Sequence, residues 1–187
     1  QRDTYLVLAE SGLEAQLRRQ KLSFVDLNRD ELLKVATRAN FTGLDHLWLP
    51  RTVLESDFVV SMPKVKTHHW AGLTLSMKNM FGIVPGTKYG WPKNVLHWKG
   101  IHRSILDICA TAPIQFVVAD GVVAMEGNGP LHGTHRHLGK IVVTQPSGSA
   151  SRSESLVRAD GAYLITGGLN GLGLLTAAIT LTVAQWS

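Results

Sequence analysis

Three short, almost continuous apolar runs constrain the fold most: those inside 57-DFVVSMP-63, 114-IQFVVADG-121 and 139-GKIVVTQP-146. Each has strand length and is bounded by Pro, Gly or Asp, without the polar–apolar alternation of a half-exposed strand. Strands apolar on both sides belong to sheets covered on both faces, which are mainly parallel and need helical crossovers. Helical spacing lies between and around them: 4-TYLVLAESGLEAQLRRQ-20, interrupted at Ser11-Gly12; 74-TLSMKNMFG-82, closed by Gly82; and 101-IHRSILDICATA-112. The spacing further predicts a strand over 22–28 and a helix over 31–39 capped by Asn28 or Asp30. Residues 46–56 read as a strand or loop ended by Pro50. The sum is an α/β protein, a mainly parallel sheet with flanking helices. A 44% hydrophobic and 18% charged composition fits such a packed chain and not a disordered one.

In sheets of this kind ligands gather beyond the carboxyl ends of strands. The pattern places 63-PKVKTHH-69 and the glycine-rich turn 120-DGVVAMEGNGPLHG-133 there. Charge marks the first of these. From Phe58 to Leu106 there is no Asp or Glu, yet Lys64, Lys66, Lys78, Lys88, Lys93, Lys99 and Arg103 fall inside. Those seven exceed the chain's net charge of +5, so the rest of the chain is slightly acidic and the positive charge is local. A local patch of one sign points to a negatively charged partner.

Ammonium groups at Lys64, Lys66 and Lys78, with the hydroxyl of Thr67 and the amide of Asn79, suit an oxyanion such as phosphate, or a carboxylate. Lys93, Asn94 and His97 extend the same candidate set. His68, Asp120 and Glu126 are the candidate proton-handling groups. No two-histidine helical spacing is present, and adjacent histidines in a strand face opposite sides, so no metal site is assigned. His132, His135 and His137 read as a polar loop. One cysteine, Cys109, excludes an internal disulfide framework and any cysteine-rich zinc or iron–sulfur site built from this chain alone; its apolar setting reads as core. Trp70, Trp91, Trp98 and Tyr89 offer stacking surfaces, but with one arginine in the window and no RNA-binding signature nucleic acid is disfavoured. A non-catalytic module docking an acidic protein or nucleic acid stays open beside the anion-binding enzyme. No export signal is seen at the amino terminus, and a cytoplasmic location is expected. The chain opens on Gln1 inside a helix-like segment and reads as lacking its true beginning.

Pro63-Lys64-x-Lys66-Thr67-His68, then Ser76-x-Lys78-Asn79-x-x-Gly82, then Asp120-Gly121 with Glu126-Gly-x-Gly-Pro130 resembles the DUF362 family, a domain of unknown function. His69-Trp70-Ala71-Gly72 and Tyr89-Gly90-Trp91-Pro92-Lys93-Asn94 resemble one of its subgroups. The likeness covers about residues 1–144. It implies no particular reaction. Longer members carry ferredoxin-like cysteine motifs that suggest redox work, and those cysteines are absent here.

The tail departs from that pattern. A Ser-rich linker, residues 147–156, separates the 1–146 domain from residues 157–187. Within the latter, 157-VRADGAYLITGGLNGLGLL-175 resembles the start of a short-chain dehydrogenase or ketoreductase domain. Gly167, Gly171 and Gly173 follow a strand at Ala162 to Ile165, the setting that brings backbone N–H groups against a dinucleotide pyrophosphate. An incomplete βα unit cannot build the rest of that site, so no cofactor is assigned and NADP(H) is expected to bind no tighter than other anions. A membrane span over the uncharged 162–186 is disfavoured by its glycines and β-branched residues. The tail is expected not to complete the main domain.

Overall fold

The structure, a computed structural model, describes residues 3–90, 93–144 and 163–166. The chain opens with two short helices, α1 (Thr4–Glu10) and α2 (Leu13–Arg19). They break at Ser11-Gly12 as the sequence predicts, with Gly12 in the left-handed region at φ 74. Their apolar residues Leu8 and Leu13 pack with Leu17, Leu22 and Phe24 in a small cluster of their own.

Two expectations fail next. Residues 22–28 form no strand but irregular chain, tied down by side chains. Residues 31–39 form no helix. Leu32–Ala36 is strand β1, paired antiparallel with β2 (His46–Pro50), so that Leu33 faces Leu49 and Val35 faces Leu47. The local pattern fits either period, and the fully buried Leu47 and Leu49 opposite decide it. The two residues expected to cap that helix cap others instead. Asp30 Oδ2 accepts from Thr52 N at 2.9 Å in the first turn of α3 (Arg51–Glu55). Asn28 Oδ1 accepts from Gly86 N at 2.9 Å, where α5 (Gly86–Tyr89) begins.

The main sheet is built on a 13-residue strand, β6 (Phe116–Asn128). Along one edge run β3 (Phe58–Ser61) and β4 (Lys64–His68), both parallel to it. Met62-Pro63 therefore interrupts one line of chain and does not end it. Strand β5 (Gly72–Thr74) folds back antiparallel on β4. The opposite edge of β6 carries β7 (His132–Arg136) and β8 (Lys140–Thr144), both antiparallel. The glycine-rich segment read as a loop is thus mostly ladder: hydrogen bonding on both edges extends β6 past Asp120, and only the hairpin at Gly129-Pro130 turns. Tyr163–Thr166 is strand β9, parallel to β3 in the register Phe58↔Tyr163, so the tail contributes an edge strand to this sheet. Gly167, Gly171 and Gly173 lie outside the described residues.

Helices pack on one face of the sheet at β3. The predicted helix over 74–82 is α4 (Ser76–Met80), continued by a 3₁₀ turn, Phe81–Ile83, that includes Gly82. A short helix α6 (Asn94–Trp98) leads into α7 (Ile101–Thr111), as expected for 101–112. Met80, Phe81, Ile83, Leu96, Ile105 and Ile108 meet Val59 and the β2 leucines in the main core. Val60, next along β3, points to the other face with Met62 and Val118. Cys109 packs against the core, and burial pushes its thiol up to about 12, so it is unreactive near neutral pH. No helix of the described residues is long and apolar enough to cross a membrane.

Candidate functional site

The lysines of the acid-free window have different fates. Lys64 lies opposite Asp120 in the β4–β6 register, and its Nζ donates to Asp120 Oδ2 at 2.7 Å. The counter-ion missing from the window comes from a strand 56 residues away. Asp120 Oδ1 also accepts from Val122 N at 3.0 Å, which commits both carboxylate oxygens. Lys88 lies over the Trp48 ring, 4.3 Å from its centroid. Lys66, Lys78 and Lys93 hold no carboxylate among the described residues.

Those three share one neighbourhood. Lys78, on α4, stands over the face of Phe81 at 4.7 Å from the ring centroid, and Lys93 lies 4.9 Å from the same centroid. The negative face of an aromatic ring is a weak counter-ion for either. Burial, then the nearby Lys66, lowers the Lys78 ammonium below the usual lysine range. Burial, then Lys78, brings Lys93 down to about 7. Lys93 is only 8% exposed and sits at φ 68, ahead of α6, with Nζ donating to the Phe81 carbonyl. A lysine so deeply buried without a carboxylate is rare. Across the β4–β5 pair, Lys66 faces Thr74, whose buried Oγ1 has no hydrogen-bond partner among the described residues. The Thr67 hydroxyl is in the same position.

A line of rings extends from Phe81. The His97 ring meets Phe81 edge-on at 5.3 Å and Trp70 at 4.9 Å; Trp70 meets His69 at 4.9 Å. The His68 and His69 rings stack at 4.9 Å with planes 13° apart, against the expectation that they face opposite sides. Strand β4 ends at His68, so the alternation ends with it. Hydrogen bonds fix the protons of all three histidines. His68 Nδ1 accepts from Trp70 N at 3.1 Å and Ala71 N at 3.2 Å, which leaves the proton on Nε2. Burial first, then Lys78, His69, Lys66 and His97, keep this imidazole below its usual pKa and hence neutral. Carbonyl oxygens only accept, so His69 Nδ1 donates to Gly129 O at 3.0 Å and His97 Nδ1 to Lys93 O at 3.1 Å. The Nε2 atoms of His69 and His97 are then acceptors in the neutral rings.

Gly129 explains part of the glycine-rich turn. A Cβ there would lie 2.3 Å from Thr67 O, so only glycine lets the hairpin close on β4 and hold His69 through both its backbone and its ring. Of the proposed proton-handling set, His68 lies within the lysine cluster, while Asp120 is engaged by Lys64. Glu126 is exposed on the hairpin, 3.7 Å from Arg136 Nε. Asn79 Nδ2 donates to Ser61 Oγ at 3.1 Å and ties α4 to β3. Asn94 opens α6. Phe81, central to the geometry, was missing from the candidates; an aromatic three residues after Lys78 on a helix was the available signal. No group of three or more His, Cys, Asp or Glu side chains able to hold a metal occurs among the described residues.

Comparison with known proteins agrees with the motifs. Residues 1–146 match DUF362, "Domain of unknown function (DUF362)". A thylakoid-associated protein of Synechocystis sp. is 31% identical over 105 residues, covering 54% of this chain. The match spans 32% of that relative's length. No solved structure matches.

Proposed function

Since the chain belongs to the DUF362 family, whose domain has no assigned function, we propose from its geometry that it binds a small phosphate- or carboxylate-bearing anion at Lys66, Lys78 and His68. One observation carries this reading. Lys66 and Lys78 are close enough to repel, and Lys78 is desolvated, yet no carboxylate offsets either among the described residues. Such an arrangement costs free energy that a bound anion would repay through charge-assisted hydrogen bonds. The neutral His68 offers Nε2–H as a further donor. The orphaned Thr74 hydroxyl opposite Lys66 supports a polar ligand at the same place. Lys64, neutralised by Asp120, positions β4 against β6 and does not hold the ligand.

Thermal-shift titration with inorganic phosphate and a panel of phosphorylated and carboxylated metabolites tests the site. The double variant Lys66→Met, Lys78→Met should weaken the best ligand by about a hundredfold or more, since loss of two charge-assisted contacts exceeds about 3 kcal/mol. A variant that folds and responds like the parent removes the reading.

A second reading, a docking module for an acidic protein or nucleic acid, draws support from Trp70 and Trp98, 54% and 80% exposed within the window. A steep salt dependence toward mixed-sequence oligonucleotides would favour it over the small anion. The thylakoid association belongs to the relative; a cytoplasmic location for this chain remains part of the proposal. The likeness of residues 157–175 to a ketoreductase start rests on the strand at Tyr163–Thr166 and the glycines after it. Saturable NADP(H) binding lost in Gly171→Val would give that segment a function of its own.

A further inference from the structure

We infer that Lys93 is a reactive amine that condenses with the carbonyl carbon of a small anionic aldehyde or oxo-acid to form a Schiff base, with Lys78 and Lys66 holding the anionic end. The second half of this statement rests on the anion site proposed above. The first half stands on Lys93 itself. Its side chain is buried, it lies on an aromatic face, and its only polar partner among the described residues is the Phe81 carbonyl. A structural lysine at that depth normally has a carboxylate. A neutral amine can still donate one N–H to Phe81 O, and its lone pair then points away from that bond. Desolvation beside a second cation is the recognised way to hold a lysine in the free-amine form that attacks carbonyls. Here burial and the Lys78 ammonium do both, bringing Lys93 to about 7. The left-handed backbone at φ 68 is unfavourable for a β-carbon residue, so the surrounding structure imposes this placement.

The step balances without a further reactant. The Nζ lone pair attacks the carbonyl carbon, the C–N bond forms, and the carbonyl π pair moves to oxygen. The two hydrogens of the neutral amine leave with that oxygen as water, and a C=N bond remains. An anionic group one or two carbons from the carbonyl would lie toward Lys78, whose ammonium contacts the same Phe81 ring and acts electrostatically on Lys93.

Glyoxylate, an aldehyde carrying a carboxylate, is the probe. The full chain is incubated with it at pH 7.5, reduced with borohydride and digested for peptide mass spectrometry. Lys93 should acquire the reduced adduct at least about tenfold faster than Lys99, because an amine brought down to about 7 is largely deprotonated at that pH. Inorganic phosphate should slow labelling of Lys93 and leave Lys99 unaffected. Labelling spread over surface lysines with Lys93 untouched overturns the inference; if phosphate still stabilises the protein in that case, the anion site survives without it. Fast labelling of Lys93 that phosphate does not slow supports the reactive amine and removes the anion subsite.

Discussion

Lys93 is where a single residue governs a measurable property of the whole chain. Its folded-state pKa of about 7 lies below that of an unfolded lysine, with burial the larger cause and Lys78 the smaller. Below pH 7 the ammonium is present in both states, and the folded protein bears the full cost of burying it. From about pH 7 up to the ordinary lysine range the unfolded chain holds a proton that the folded chain has released, so stability rises with pH across that window. Calorimetric Tm values between pH 6 and 10 should climb for the parent and lose most of this slope in Lys93→Met. An unchanged slope in the variant would place the titrating group elsewhere. The basic window was readable from the sequence because the absence of Asp and Glu between Phe58 and Leu106 is a property of composition. That Lys64 finds a carboxylate while Lys66, Lys78 and Lys93 hold none among the described residues was not readable. Asp120 reaches Lys64 only through strand pairing, which local sequence does not encode.

At the scale of elements, the three apolar runs became β3, β6 and β8. Strands β3 and β6 pair on both edges and bury valines, as continuous hydrophobic stretches should. Strand β8 instead pairs with β6 and leaves Ile141, Val142 and Val143 exposed, against the expectation of a strand covered on both faces. The predicted helix over 31–39 failed for the opposite reason: β1 has one partner, and that partner, β2, decides its period. The glycine-rich turn shows the same dependence, since pairing on both edges turned most of it into ladder and left Gly129 to serve the approach of Thr67. A further tie between elements carries a test. Asp107, fully buried on α7, accepts from Phe41 N at 2.8 Å, Thr42 N at 2.9 Å and Thr42 Oγ1 at 2.6 Å. These bonds pin the turn between β1 and β2 onto the helix. Asp107→Ala would leave three donors without their acceptor, and should destabilise by about 3 kcal/mol or more in urea unfolding. Hydrogen exchange should rise first at Phe41 and Thr42. A loss below about 1 kcal/mol would mean that water or another acceptor takes over those donors.

At the scale of the molecule, the stretch that matches DUF362 and the sheet do not end at the same place. The family match covers residues 1–146, but the edge of β3 is occupied by β9, four residues from beyond it. Those residues satisfy backbone groups along Phe58–Ser61, a strand whose Val59 and Val60 are buried on opposite faces. A chain cut after Pro146 keeps β3, β4, β6, β7 and β8 and every residue of the main core, so it should still fold. It also presents an unpaired, apolar strand edge to solvent, and such an edge pairs with other chains. At about 1 kcal/mol net for each ladder bond, the loss amounts to a few kcal/mol, or roughly 5–10 °C in Tm for a chain of this size. The truncated protein should therefore show native-like circular dichroism, a lowered Tm and concentration-dependent association in sedimentation. Leu164→Pro in the full chain should reproduce the lower Tm, because proline withdraws a donor from the ladder and resists a strand interior. If the truncated chain stays monomeric with an unchanged Tm, β9 contributes nothing to the fold, and the tail stands apart from the domain as its sequence first suggests.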